Sequence, residues 1–338
     1  MHIHHFCNVP KIFVLLLLLI TLFILELAFG SVHIEKMSTL TILFGATAHE
    51  EAHRIIILES RLPRAITAIL GGSGLALSGL LMQTLFRNPL AGPSVLGISS
   101  GASLGVALLV LAAGGTMSAT GAIALTAASA LAGALLVLFI VMAVAERLSD
   151  NTALLIFGIM LSFFTGAIVD ALQFKSSNES LRSFINWGMG SFAETTIAEI
   201  MIVTAAVFAG IIITVFILPR LNLLLLGEDY AQSMGVNVRT TRLLIILATG
   251  VLAGIITAFC GPVSFIGLAV PHLVRTWLRS SNHPKLFVPV LLTGAVIGLM
   301  CDLLARIFEL PLNTIASALG APVVVFIILR GSKSRAII

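Results

Sequence analysis

Residues 61–103 have the sequence RLPRAITAILGGSGLALSGLLMQTLFRNPLAGPSVLGISSGAS. The apolar run over 64–86 is long enough to cross a hydrocarbon core of about 30 Å as a helix. A polar turn with Asn88 and Pro89 follows, and the next apolar segment, 95–113, is short and rich in glycine. Interrupted helices are typical of transporters, because irregular backbone within a membrane must be surrounded by protein or by a water-filled cavity. The stretch therefore predicts two membrane helices, the second of them interrupted.

The composition of the whole chain is that of an integral membrane protein. Hydrophobic residues make up 58% of the 338 residues and charged residues 10%, and the mean hydropathy is +1.12. A soluble domain has roughly 25% charged residues, so this chain could not cover a water-facing surface. The basic residues separate apolar runs instead of forming one patch, which argues against nucleic acid as a partner. Three cysteines without a short spacing indicate no disulfide framework.

The apolar runs predict an all-α polytopic protein, with residues 1–338 forming a single transmembrane domain. Ten spans are expected, at 11–30, 64–86, 95–113, 119–145, 152–173, 197–218, 241–260, 263–279, 286–306 and 313–330. The first is interpreted as a retained span, because it is longer than the apolar region of a signal peptide. Five spans lie on each side of residue 196, and an odd number per half would invert the halves. We therefore suspect an inverted repeat of two five-helix halves.

The distribution of Lys and Arg predicts the orientation. If the N-terminus is cytoplasmic, 12 of the 19 basic residues lie on the cytoplasmic side and 7 outside, as the positive-inside rule requires. Both termini are then cytoplasmic, in the inner membrane of a bacterium. Residues 31–63 and 174–196 become outer loops, the second with a possible short interfacial helix, and 219–240 becomes the largest cytoplasmic loop.

A set of motifs, in the same order and over nearly the whole chain, resembles the FecCD-type permeases of ABC importers, which take up iron-siderophores, haem or cobalamin. The motifs are Arg61-Leu62-Pro63-Arg64, Asn88-Pro89-Leu90-Ala91, Leu96-Gly97, Trp187 with Gly190-Ser191, Leu226-Gly227-Glu228, Met234-Gly235-Val236, the run 261–272 (GPVSFIGLAVPH), Asp302 to Arg306, Glu309-Leu310-Pro311 and Gly320-Ala321-Pro322. The resemblance implies a transport subunit and not an enzyme. It would move its substrate into the cytoplasm by alternating access.

The resemblance also implies partners. A homodimer would bind two ATPase subunits inside and one substrate-binding protein outside. ATP and magnesium would bind the ATPase subunits, since this chain lacks the P-loop pattern G-x-x-x-x-G-K-[ST]. No cofactor or metal is expected on this chain.

Four groups of residues receive roles from the resemblance. Arg61, Arg64 and Arg306 would dock the binding protein, because the guanidinium group of Arg binds carboxylates with two parallel hydrogen bonds. The stretch between Arg306 and Glu309 is about four residues shorter than is usual in the family. Within 226–238, coupling to the ATPase would involve Gly227, Glu228, Ala231, Met234 and Gly235, with the two glycines as helix boundaries. The cytoplasmic gate would comprise Asn88, Leu90, Asn151 and Thr152. Phe163, Gly166, Ile315, Ser317 and Gly320 would lie near the pathway.

Taken alone, the same residues have simpler interpretations. Arg61 and Arg64 could anchor a span at the interface. Residues 226–238 could form an ordinary amphipathic loop helix, Asn88 a turn, and Asn151 or Thr152 a helix cap. For Glu26, Asp170, Asp302 and His272, within or near apolar runs, polar contacts between helices are favoured over proton coupling.

Two other functional classes stay open. His49-Glu50-Glu51-Ala52-His53 matches the zinc-protease pattern H-E-x-x-H, but it lies in an outer loop without a convincing third ligand. His33, His49 and His53 could instead bind haem or a metal transiently, although solvent-facing histidines are the simpler interpretation. An ion-coupled secondary transporter would also have about ten spans, but it would not need a coupling loop.

Overall fold

The computed structural model describes residues 9–30, 51–112, 120–148 and 150–335, and most of these are helical. The helices are α1 (Val9–Ala28), α2 (Leu62–Leu85), α3 (Ile98–Ala107), α4 (Thr120–Ala145), α5 (Asn151–Lys175), α6 (Asn178–Gly188), α7 (Ile197–Leu226), α8 (Glu228–Ser233), α9 (Val238–Cys260), α10 (Ile266–Leu278), α11 (His283–Ile307) and α12 (Leu312–Arg335). The all-α prediction is thus confirmed.

The ten predicted spans correspond to ten helices, but these differ in length. Among the described residues, seven helices are long and apolar enough to cross a membrane: α1, α2, α4, α5, α7, α9 and α11. The spans predicted at 95–113, 263–279 and 313–330 correspond to α3 with a π-helical extension (Leu108–Ala112), α10 and α12. Helix α12 extends from Leu312 to Arg335.

Helices α3 and α10 begin in the interior of the bundle. The chain turns into α3 at Gly97, which has a φ of 79°, and into α10 at Phe265, which has a φ of 65°. Gly97 lies against the backbone of Gly158, two turns beyond the start of α5. Both short helices thus follow a bend inside the protein, which for α3 agrees with the predicted interruption of the span at 95–113.

Helix α2 is the centre of the bundle and packs against α7, α9, α10 and α11. The most apolar stretch of α2 is 78% buried, compared with 17% for that of α1 and 28% for that of α7. At the crossing of α2 with α11, Gly72 faces the backbone of Gly294 and Gly298. Without a hydrophobic force between helices in lipid, such close backbone packing is a main source of association.

The two halves have corresponding arrangements. Helices α2 and α9 are each the second span of their half, each is largely buried, and each is followed by a short helix. They run antiparallel, since Gly74 in α2 packs on Ile256 near the end of α9, while the last turn of α2 lies near the first turn of α9. This is the relation that an inverted repeat requires.

Two of the three predicted loops contain more helix than expected. Helix α2 continues backwards through a π-helical turn (Ile56–Arg61) to Glu51–Ile55, so the outer loop assigned to 31–63 is helical from residue 51. Helix α7 passes Pro219 and ends only at Leu226, which shortens the non-helical part of 219–240. Outer loop 174–196 contains the amphipathic helix α6, in agreement with the prediction.

Candidate functional site

Four charged side chains meet where α2 begins, which we name the outer end after the predicted orientation. Arg64 donates from Nε to Asp302 Oδ2 at 2.6 Å and from Nη2 to Oδ1 at 3.0 Å. Arg306 pairs with Glu26 and lies 3.6 Å from Asp302. Both carboxylates are almost fully buried. This outer cluster (Glu26, Arg64, Asp302 and Arg306) joins α1, α2 and α11, as expected for polar contacts between helices.

Arg61 also binds α1, through backbone carbonyl groups. Its Nη1 donates to the oxygen of Leu27 at 2.8 Å and to that of Ala28 at 3.1 Å. Arg61, Arg64 and Arg306 all line an open cavity of 480 Å³. The structure therefore brings the three predicted docking arginines together, but their guanidinium groups already have partners within the chain. Their role in docking stays a prediction.

A second polar cluster lies at the opposite, inner end. The amide nitrogen of Asn151 donates to Glu228 and, at 3.0 Å, to the carbonyl oxygen of Leu85. Arg242 donates from Nη2 to both carboxylate oxygens of Glu228, at 3.3 and 3.2 Å. Its Nη1 donates to the oxygen of Leu148 at 2.6 Å. This inner cluster (Asn151, Glu228 and Arg242) connects a predicted coupling residue with a predicted gate residue.

Helix α8 lies within the predicted coupling segment, 226–238. Gly227, with a φ of 130°, separates it from α7, and Gly235, with a φ of 83°, follows it, so both predicted helix boundaries are confirmed. Ala231 is fully buried, whereas Tyr230 and Met234 are exposed. The helix thus packs on the bundle through one side and presents the other side at the surface.

The predicted gate residues lie on two turns at the inner end. Asn88 accepts a hydrogen bond from the backbone N–H of Leu90 through its side-chain oxygen, at 2.9 Å, as the turn interpretation expects. The cap of α5 is Asp150, and the interpretation of Asn151 or Thr152 as the cap is wrong. Hydrogen bonds from the N–H groups of Thr152 and Ala153 lower the pKa of the Asp150 carboxyl. Asn151 is therefore free to bind α2 and α8.

The predicted pathway residues lie on separate helix pairs. Helix α5 packs mainly on α3, and α12 packs on α10 and α11. Phe163 is 68% exposed, and Gly166 has open space on its side of α5. Ile315 and Gly320 are buried, Ser317 is half-buried, and Gly320 lies against Phe265. A cavity of 280 Å³ lies between the bends that precede α3 and α10.

The histidine motif near residue 50 is described only in part. His33, His49 and Glu50 lie outside the described residues, so the H-E-x-x-H pattern is not described as a whole. Within the described part of the chain, no group of three or more His, Cys, Asp or Glu side chains could hold a metal ion.

Comparisons with known proteins agree with this arrangement. Residues 17–330 match the FecCD transport family. The hemin transport system permease protein HmuU of Yersinia pestis is 36% identical over 330 residues, which cover 96% of each chain. The vitamin B12 import system permease protein BtuC of Klebsiella pneumoniae is 35% identical over 83% of this chain and 84% of its own length.

A solved structure of a metal-chelate type ABC transporter in an inward-facing conformation also resembles this chain. It superimposes with a TM-score of 0.82, at 29% identity, over 95% of this chain and 99% of its own. The apolar helices, the charged cluster at one end and the short helix α8 at the other therefore belong to a membrane-spanning transport protein, and this chain is a member of the FecCD transport family.

Proposed function

We propose that this chain is the permease subunit of an ABC importer for a substrate of the iron-siderophore, haem or cobalamin type. The main support is the family match over residues 17–330, with relatives that are named for hemin and vitamin B12 import. The inner cluster adds a physical argument. It joins a short surface helix to a turn at the end of a span, as a subunit driven from the cytoplasmic side needs.

The transport cycle is alternating access, driven by ATP that is hydrolysed on two separate subunits. Two copies of this chain form the pathway, each with its α8 seated on one ATPase subunit. The exposed Phe163 and the open space at Gly166 suit a helix surface that faces a second copy. Motion of α8 would pass to the spans as rigid-body rocking of packed helices.

The cavity lined by Arg61, Arg64 and Arg306 is the docking site for acidic side chains of the substrate-binding protein. Arg61→Gln keeps a donor for the Leu27 carbonyl but removes the charge. We expect it to lower the association rate of the binding protein about tenfold, since charges at an interface mainly steer the encounter. Surface plasmon resonance at low and high salt measures this rate.

Arg182→Gln is the matched control for docking, because Arg182 is an exposed arginine on α6 outside the cavity. It should leave the association rate within twofold of the wild type. Equal rates for the wild type and Arg61→Gln would remove Arg61 from the docking site.

Reconstitution tests the function as a whole. The chain is inserted into proteoliposomes with its ATPase subunit and binding protein, and uptake of haemin, cyanocobalamin and a ferric hydroxamate siderophore is measured with and without internal ATP. Uptake of one of these compounds that requires ATP is expected. Uptake that continues without the ATPase subunit, and stops when a protonophore collapses the ion gradient, would identify a secondary transporter instead.

A further inference from the structure

Arg242 lies in the first turns of α9 and is only 5% exposed. Charged side chains are rarely buried unless they are paired, and Arg242 is engaged with two separate parts of the chain. One guanidinium nitrogen donates to the carbonyl oxygen of Leu148, in the connection between α4 and α5, at 2.6 Å. Another lies 3.2 Å from the Glu228 carboxylate at the start of α8.

The Glu228 carboxylate is shared between two partners. It accepts from Arg242 and also from the amide of Asn151, which in turn donates to the carbonyl oxygen of Leu85 at 3.0 Å. One carboxylate on α8 therefore touches α9 directly and α5 directly, and it reaches the end of α2 through one amide. A displacement of α8 cannot leave these three elements in place without breaking hydrogen bonds to a charged group, which are among the stronger ones.

A second Arg–Glu pair at the same end gives a comparison. Arg239 lies 4.0 Å from Glu146, and the two side chains are 66% and 53% exposed. Such surface pairs are screened and contribute little. The side chains of Arg242 and Glu228, taken without their backbone atoms, are only 7% and 29% exposed, so water cannot easily replace either partner, and loss of one leaves the other poorly solvated.

We propose that Arg242 is a positioning residue that makes the cytoplasmic gate follow α8, by holding Glu228 against Asn151 and by fixing the α4–α5 connection at Leu148. This inference rests on the proposed function and adds to it the residue that links the coupling helix to the gate. Arg242 touches no substrate; it acts through Glu228 and Asn151.

The test measures gate movement directly. Leu90→Cys is introduced together with Cys7→Ser, the other two cysteines being buried, and the full complex with its ATPase subunits is placed in nanodiscs. The labelling rate by fluorescein maleimide is compared with and without ATP and vanadate. In the otherwise unchanged chain we expect the rate to change on trapping. Arg242→Gln should reduce that change roughly three- to tenfold, while the ATPase subunit still co-purifies.

Three comparisons make the result decisive. Arg239→Gln, the matched control, should leave the nucleotide-dependent change intact. Glu228→Gln should reduce it as Arg242→Gln does, and the double variant should be no worse than either single one, because both remove one shared interaction. An unreduced nucleotide-dependent change in labelling rate in Arg242→Gln overturns the inference. If Arg242→Gln does not assemble, an unreduced change in Glu228→Gln overturns it instead.

A different result would contradict the proposed function itself. If the chain without substitutions in the inner cluster neither binds an ATPase subunit nor responds to nucleotide, the proposed function is wrong, and this inference falls with it. If that chain responds and the two variants respond equally, only the role of Arg242 is wrong.

Discussion

Asp302 is 1% exposed, and Arg64 holds it with two nitrogens, at 2.6 and 3.0 Å. This forked geometry gives Arg a stronger and more specific bond to a carboxylate than Lys could form. Arg306 lies 3.6 Å from Asp302 and also pairs with Glu26. Two carboxylates and two guanidinium groups thus balance within the outer cluster, which makes their burial tolerable.

Arg64→Gln should therefore destabilise the protein as well as change its outer surface. It leaves a buried carboxylate without its main partner, which costs about 3 kcal/mol in comparable cases. Asp302→Asn combined with Arg64→Gln should recover most of this loss, since the buried charge is then removed too. Thermal unfolding of the purified protein in detergent measures the effect. A double variant less stable than Arg64→Gln would contradict this account.

At the residue scale, the sequence shows which charges are unusual but not which of them meet. Glu26 and Asp302 stood out because ionisable groups are expensive within apolar runs. Their partners could not be identified, since the Arg64–Asp302 pair spans 238 positions of sequence. Arg242 was missed altogether, because an arginine at the start of a span is also an ordinary interfacial residue. Only the fold places it against Glu228.

Among the elements, the crossing of α2 and α11 depends on glycine. A side chain at Gly72 would overlap the backbone oxygen of Gly294, and the helices would have to separate along their contact. Interior packing tolerates such insertions poorly, because neighbouring atoms cannot move without leaving their own contacts.

Gly72→Ala should accordingly lower the free energy of unfolding by about 1–3 kcal/mol, in spite of the better helix propensity of alanine. Gly166→Ala is the matched control, because open space surrounds that glycine, and its stability should be equal or slightly higher. Thermal unfolding in detergent compares the two. If Gly72→Ala were as stable as the wild type, close backbone contact would not hold these helices together.

Element boundaries were predictable only in part, for a physical reason. Hydropathy marks the apolar part of a helix, and it places each of the ten predicted spans on a helix. It does not mark how far the helix continues beyond that part, as α7 does through Pro219 to Leu226, or as α2 does back to Glu51. Gly227 and Gly235 were recognised as boundaries because a positive φ is a local property that glycine favours.

For the molecule as a whole, hydropathy ranks the helices differently from burial. Helix α2 is the least apolar of the seven long helices in the described part of the chain and also the most buried. Helix α7 is the most apolar and only 28% buried. In a membrane, the lipid-facing helices need apolar side chains, whereas central helices need small ones that allow close packing. A glycine-rich span such as α2 is thus a better marker of the centre than the most hydrophobic span.

The orientation of the molecule is the remaining property that an experiment can decide. Asn313, in the first turn of α12, donates to the oxygens of Pro262 and Gly188, close to the end of α6. Helix α12 then runs for 24 residues, about 36 Å at 1.5 Å per residue, which suffices to reach the opposite end. Lys11, at the start of α1, donates to the carbonyl oxygen of Trp277 at the end of α10.

If the excess of Lys and Arg sets the orientation, the C-terminus is cytoplasmic and the turn after α6 faces outwards. A C-terminal green fluorescent protein should then fluoresce, and alkaline phosphatase fused at the same position should be inactive. Phosphatase inserted after Ala193, an exposed residue of that turn, should be active. The reverse pattern would place α8 outside the cell, beyond the reach of any cytoplasmic ATPase, and it would contradict the orientation and the coupling role of α8 together.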